Sequence, residues 1–167
     1  MKRERLAERY LSAEQRSEID HWLAKFPGEG KRSAVIPALH IVQEGNGGWL
    51  NRELMDAVAE YLELPPVAVY EVGTFYSMFD LQPAGRHKVN ICTNISCMLR
   101  DAEGIVEYVQ NKLGISVGET TPDGRITLKR EEECLAACTG APMMLVDEEY
   151  YTDLTPEKVD EILDKLE

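Results

Sequence analysis

A chain of 167 residues with 30 acidic and 18 basic side chains carries a formal net charge of −12. Such a chain repels a phosphate backbone, which sets nucleic acid aside as a partner. Its longest mostly apolar run, AVIPALHIV at 34–42, is far too short to cross a bilayer, so no direct membrane insertion is expected.

The chain opens MKRERLAERY, which is charged and lacks the apolar core of a secretory leader. Cytoplasmic localisation is the expectation. Four cysteines in a cytosolic protein point to metal ligands or redox groups rather than to a disulfide framework.

The first half predicts helices. Ser12, with Gln15 three positions on, forms a capping-box signature, and Ile19, Trp22, Leu23 and Phe26 make one apolar stripe. PGEGK at 27–31 breaks that helix. A second helix is expected from about Ser33 to about Glu44, with Val35, Ile36, Leu39 and Val42 facing inward. Pro37 fits it only in the first turn, where its missing N–H costs nothing. GNGG at 45–48 ends it. Asn51 can cap a third helix carrying Leu54, Val58, Tyr61 and Leu62. Pro65 and Pro66 stop that helix and start a fourth, reaching about Tyr76. QPAG at 82–85 reads as a boundary, so residues 1–82 are expected to form an N-terminal helical bundle.

The second half changes character. Val89 to Cys92 reads as a strand, and residues 98–113 read as a helix ended by Gly114. TPDGR at 121–125 is a turn between two candidate strands, ISVGE at 115–119 and RITLKRE at 125–131. Met143 to Val146 is a further short strand, with DEE turning back into YYTDL. Thr155-Pro156 caps a last helix with Val159, Ile162, Leu163 and Leu166 inward. The order β-α-β-β-β-α makes residues 83–167 an α/β domain.

The cysteines fall in two pairs, Cys92/Cys97 as C-x4-C and Cys134/Cys138 as C-x3-C, each following a strand-like segment. A [2Fe-2S] cluster needs this count, because each iron takes two thiolates besides the bridging sulfides. Zinc also accepts four cysteines, although both pairs are wider than the common C-x2-C knuckle. Four plain thiols are the third reading, since cysteine packs as a small hydrophobe. Cys97 is expected to open the long helix, whose N-terminal N–H groups would face an anionic centre. Gly140, Ala141 and Pro142 add no bulk behind Cys138. Met143 and Met144 read as core or as an apolar wall. The run Glu131, Glu132, Glu133 reads as a solvated face; near a redox centre its field would disfavour an added electron.

CTNISC at 92–97 and ECLAACTGAPMM at 133–144, together with IVQEGNGGWL, VYEVGTFYSMF, QPAGRHKVNICT and TPDGRITL, resemble the 24 kDa-type subunit family of NADH–quinone oxidoreductase, respiratory complex I. The resemblance runs from about residue 12 to the last residue given. It implies a thioredoxin-like [2Fe-2S] ferredoxin domain preceded by a helical bundle. The family's four ligands fall on Cys92, Cys97, Cys134 and Cys138. It implies an electron carrier with no catalytic residue of its own, working inside an oxidoreductase. FMN and NADH are then expected on a partner, the flavin- and NADH-binding subunit, alongside further subunits of the complex, with the chain peripheral to the membrane. Related chains serve NAD-linked formate dehydrogenases and NAD-reducing hydrogenases. A zinc-stabilised interaction module is the reading from a different class.

Other motifs carry less. EGKRS at 29–33 glances at a phosphate-binding loop, but Lys25 stands where a glycine is needed and Arg32 where Ser or Thr is needed. His21, His40 and His87 are scattered. His40 sits in an apolar helix pattern, and His87 precedes a ligand set already filled by four thiols. Trp22 and Trp49 read as core or interface anchors.

Overall fold

Ser12 stops an extended approach and starts a helix by satisfying its first free donors. Its hydroxyl accepts the Gln15 N–H at 3.1 Å, while Gln15 Oε1 accepts the Ser12 N–H at 2.9 Å. The computed structural model describes residues 5–28, 30–131 and 133–167. Residues 1–4, Glu29 within the expected helix break and Glu132 within the acidic run lie outside the described residues. The chain divides into two compact units, Met1–Pro83 and Ala84–Glu167.

The described residues of the first unit hold helices and no strand: α1 (Leu6–Tyr10), α2 (Ala13–Leu23), α3 (Val35–Gly45), α4 (Arg52–Tyr61) and α5 (Pro66–Phe75). The short α1 lies upstream of the expected first helix; it is too short to show a period. A 3₁₀ turn at Gly30–Ala34 leads into α3, so Pro37 falls in the first turn, where no N–H is missed. Asn51 caps α4 through the Leu54 N–H at 2.8 Å. In α5, a Cβ on Gly73 would stand 3.0 Å from Met55 Sδ, so α4 and α5 pack closely there. The core gathers Ile19, Leu39, Val42, Leu54, Val58 and Val69. Gln43 is buried within it, donating to the Met78 carbonyl at 3.1 Å and accepting the Asp80 N–H at 2.8 Å.

The second unit is a four-stranded sheet in the order β2-β1-β3-β4, with β1 (His87–Cys92), β2 (Ile126–Glu131), β3 (Met144–Val146) and β4 (Glu149–Tyr151). Strands β1 and β2 are parallel; β1–β3 and β3–β4 are antiparallel. A parallel pair needs a crossover, supplied by α6 (Ile95–Met98) and α7 (Ala102–Leu113). Helix α8 (Pro156–Leu163) follows β4, capped by Thr155, whose hydroxyl accepts the Lys158 N–H at 3.3 Å. Val89, Ile91, Ile126, Leu128, Met144 and Val146 pack on Val106, Val109, Val159 and Leu163 in one core.

Two expectations for this unit are corrected. ISVGE at 115–119 is not a strand. Ser116 donates its N–H to the Glu119 carboxylate at 2.7 Å and Gly118 takes φ +88, so the segment turns instead of extending. The expected pairing survives only in part: the Gly118 and Thr121 N–H groups donate to the Leu128 and Ile126 carbonyls at 2.8 Å, with Thr120 to Thr127 an isolated bridge, and Glu149–Tyr151 is the fourth strand. The expected helix over 98–113 is split, because Asp101 sits in the left-handed region at φ +65 and α7 begins after it.

Candidate metal centre

Strand β1 delivers Cys92 to the interior of the sheet. The Cys92 N–H donates to the Met143 carbonyl at 3.1 Å, and the Thr93 N–H donates to the Glu131 carbonyl at 2.8 Å. The Thr93 hydroxyl donates to the same carbonyl at 3.2 Å and accepts from Arg130 Nε at 3.2 Å. Arg130 is held in turn by Glu103 at 2.8 Å. The loop leaving Cys92 is therefore pinned on two sides before α6 presents Cys97. Cys92 and Cys97 are each 1% exposed, walled by Ala102, Ala141 and Met143. Cys97 lies inside the one-turn α6, not at the start of the long helix as expected, so the dipole of α7 has no claim on it.

The second pair follows β2. Ala136 takes φ +61, and its N–H donates to Cys134 Sγ at 3.3 Å. The sulfurs of Cys134 and Cys138 stand 3.2 Å apart, and both residues are exposed. Cys138 opens a 3₁₀ turn, Cys138–Gly140. A Cβ on Gly140 would meet Thr152 Cβ at 2.4 Å, so only glycine fits against that segment. The Asp153 N–H donates to the Gly140 carbonyl at 2.6 Å and the Leu154 N–H to the Pro142 carbonyl at 3.0 Å, which tie down the far end of the loop.

The two loops meet. Cys92 Sγ lies 4.0 Å from the Glu133 carbonyl, Cys97 is hydrogen-bonded to Cys92 and feels the charge of Cys138, and Cys138 is hydrogen-bonded to Ser96 and Cys134. Burial, then the bond to Cys92, pushes the Cys97 thiol up to about 11. Cys134 is lowered by the bond from Cys138 and by the Ala136 N–H, and Cys138 is raised by Cys134. All four are free thiols. Among the described residues no group of three or more His, Cys, Asp or Glu converges as ligands of a single ion. Four thiols held as two neighbouring pairs match, in element and in number, the donor set of a two-iron cluster.

The other singled-out residues sort differently. Met143 lines the wall beside Cys92 and Cys97, while Met144 belongs to the sheet core. Glu131, expected on a solvated face, is buried as the cross-strand partner of Cys92, with Lys129 Nζ 3.7 Å away; Glu133 is exposed. His87 faces Asp147 Oδ2 at 2.8 Å and the Glu167 carbonyl at 3.0 Å, at the strand end away from the cysteines. His40 packs on Phe79 with ring centroids 5.0 Å apart, and His21 is exposed. Trp22 packs half-buried against the first core, and Trp49 is half-buried as well. No periodicity marked Ile95 and Leu99 as surface residues; they flank Cys97 with 64% and 76% exposure.

The family model described as thioredoxin-like [2Fe-2S] ferredoxin matches residues 19–167. The chain is 46% identical over 144 residues, 86% of each chain, to a protein of Rickettsia bellii (strain RML369-C) named as a subunit of NADH-quinone oxidoreductase. It is 43% identical over 148 residues, 89% of this chain and 60% of the other, to NADH dehydrogenase [ubiquinone] flavoprotein 2, mitochondrial, of Dictyostelium discoideum. A solved NAD+-reducing [NiFe]-hydrogenase in the H2-reduced state shares the fold with a TM-score of 0.66 at 18% identity, over 78% of this chain and 22% of that one.

Proposed function

The chain belongs to the thioredoxin-like [2Fe-2S] ferredoxin family, and from that premise we propose that it is the electron-transfer subunit of an NADH–quinone oxidoreductase. It exchanges single electrons with the FMN of a flavin- and NADH-binding partner subunit, and FMN and NADH belong to that partner. The observation that carries this reading is the gathering of two thiol pairs, one buried and one exposed, at neighbouring ends of β1 and β2.

In this reading Cys92 and Cys97 would hold one iron and Cys134 and Cys138 the other, and the cluster, when bound, would supply a store for one electron at a time. The chain itself provides ligation, dryness and field. Ala102, Ala141 and Met143 keep water from the inner pair, and the Ala136 N–H steadies the Cys134 sulfur. Uncharged, exposed Ile95 and Leu99 beside Cys97 let a partner protein approach without desolvating charge. Residues 1–82 form the helical bundle that docks on the flavin subunit, and residues 83–167 carry the centre. No helix among the described residues is long and apolar enough to cross a membrane. The proposal has the chain work in the cytoplasm, peripheral to the membrane through its complex.

Anaerobic purification tests the reading. About two irons and two acid-labile sulfides per chain are expected, with colour that bleaches on reduction. One zinc and no iron would replace it with a zinc-stabilised interaction module. Co-purification then identifies the assembly: a quinone-reducing complex is expected, and a formate dehydrogenase or hydrogenase would move the chain there instead.

A further inference from the structure

The two thiol pairs differ in who can reach them. Cys134 is exposed on a stretch without regular structure at 133–137, and Cys138, also exposed, opens the 3₁₀ turn that follows. Their sulfurs are already 3.2 Å apart, and a disulfide of about 2.05 Å needs only a small further approach. Three residues separate them in sequence, so closing the ring costs little chain entropy. Cys92 and Cys97, each 1% exposed, sit behind Ala102, Ala141 and Met143, where a reagent enters only if the wall opens.

We propose that in the metal-free chain Cys134 and Cys138 form a reversible disulfide by exchange with a small-molecule disulfide such as oxidised glutathione, and that this bond closes the chain to cluster loading until it is reduced. The thiol chemistry stands on the geometry of the sulfurs alone. Its consequence for loading rests on the function proposed above.

The exchange balances without another reagent. One thiol of the pair attacks a sulfur of oxidised glutathione. A mixed disulfide forms, the glutathione S–S bond breaks, and one glutathione leaves as a thiol carrying the proton of the attacking group. The second cysteine then attacks the protein sulfur of that mixed disulfide. The Cys134–Cys138 bond forms and the second glutathione leaves with the second proton. Two protein thiols are oxidised by two electrons, and one disulfide is reduced to two thiols. An exposed bond of this kind is readily reduced again, which makes it reversible rather than structural. Two of the four sulfurs are withdrawn while it lasts, and the buried pair stays reduced.

The test uses the full chain, stripped of metal under reductant, exposed to oxidised glutathione, acid-quenched, alkylated after denaturation and digested with trypsin. Cleavage after Lys88, Arg100, Arg130 and Lys158 puts the buried pair on peptide 89–100 and the exposed pair on peptide 131–158. The expected result is a 131–158 peptide lighter by two hydrogens and unalkylated, with 89–100 fully alkylated. Cys138→Ser should instead trap a lasting glutathione adduct on Cys134. Equal oxidation of both peptides, a link between them, or unresolved adducts on the unmutated chain would overturn the disulfide. Iron and sulfide uptake reads the second half. The oxidised chain should lose uptake and regain it with dithiothreitol, and equal uptake by oxidised and reduced chain would overturn the gate. Failure of the reduced chain to take up iron at all would overturn the cluster reading and the gate with it, while the peptide map still decides the disulfide.

Discussion

A carboxylate buried to 4% exposure needs compensation, and Glu131 has Lys129 beside it at 3.7 Å. Cross-strand partners in a ladder share a face, so Glu131 points to the same side of the sheet as Cys92. Its negative charge opposes an electron added at the cysteines. Glu131→Gln is expected to raise the midpoint potential of the loaded chain by some tens of millivolts, and Lys129→Gln to lower it. A redox titration followed by EPR reads both; shifts of the same sign would mean that disturbed packing, not charge, is responsible. The backbone of the second loop gives two opposed stability predictions. Ala136 is strained by its left-handed φ of +61, so Ala136→Gly should stabilise the metal-free chain by up to about 1 kcal/mol in urea. Gly140→Ala drives a methyl into Thr152 and should cost about 1–3 kcal/mol by the same measurement. The cysteines were legible in the sequence because their count and spacing match a chemistry. The burial of Glu131 was not: in a run of three glutamates, strand alternation gives the face but says nothing of what covers it.

Elements were legible where a single residue does a single physical job. Ser12 and Gln15, Asn51, Pro66 and Thr155 each start a helix at or within a residue of the expected place, because each satisfies or removes a donor that would otherwise be free. Elements decided by competition were not. ISVGE has strand-forming residues, but Glu119 offers the Ser116 N–H a local partner and Gly118 turns at φ +88, so only Gly118 and Glu119 of the segment still bond to the Leu128 backbone. No pattern in the sequence marks the left-handed Asp101 that splits α6 from α7. One tie between elements makes a pH prediction. The Tyr61 hydroxyl on α4 donates to Asp20 Oδ1 on α2 at 2.8 Å. Burial, then that bond, pushes the Tyr61 phenol up to about 12. An unfolded phenol ionises near pH 10, about where the native one still holds its proton. The tie therefore stabilises fully below about pH 10, and its contribution is lost as pH rises toward about 12. Tyr61→Phe should cost about 1 kcal/mol at neutral pH and flatten the alkaline fall in stability. Urea melts across that range check it; an unchanged alkaline slope would remove Tyr61 as its cause.

At the scale of the whole chain, each unit has a core of its own. One is built on Leu39, Val58 and Val69 and the other on Ile91, Leu128 and Val109, and all four cysteines fall in the second unit, Ala84–Glu167. A unit with its own core and all four proposed ligands has what it needs to fold and load alone, and nothing in the proposed cluster chemistry asks for the helices. Two proposed roles for the first unit then compete, docking on the proposed flavin subunit and merely covering a face of the second. Expressing residues 84–167 without the first unit separates them, because the two roles fail differently. If docking is the role, the fragment is soluble, binds about two irons, and no longer assembles with the flavin subunit in a pull-down. If cover is the role, the fragment exposes apolar surface and aggregates, yet whatever remains soluble still binds the partner. A soluble, iron-loaded fragment that assembles normally would defeat both roles and leave the surface around Ile95 and Leu99 as the place where the partner is held.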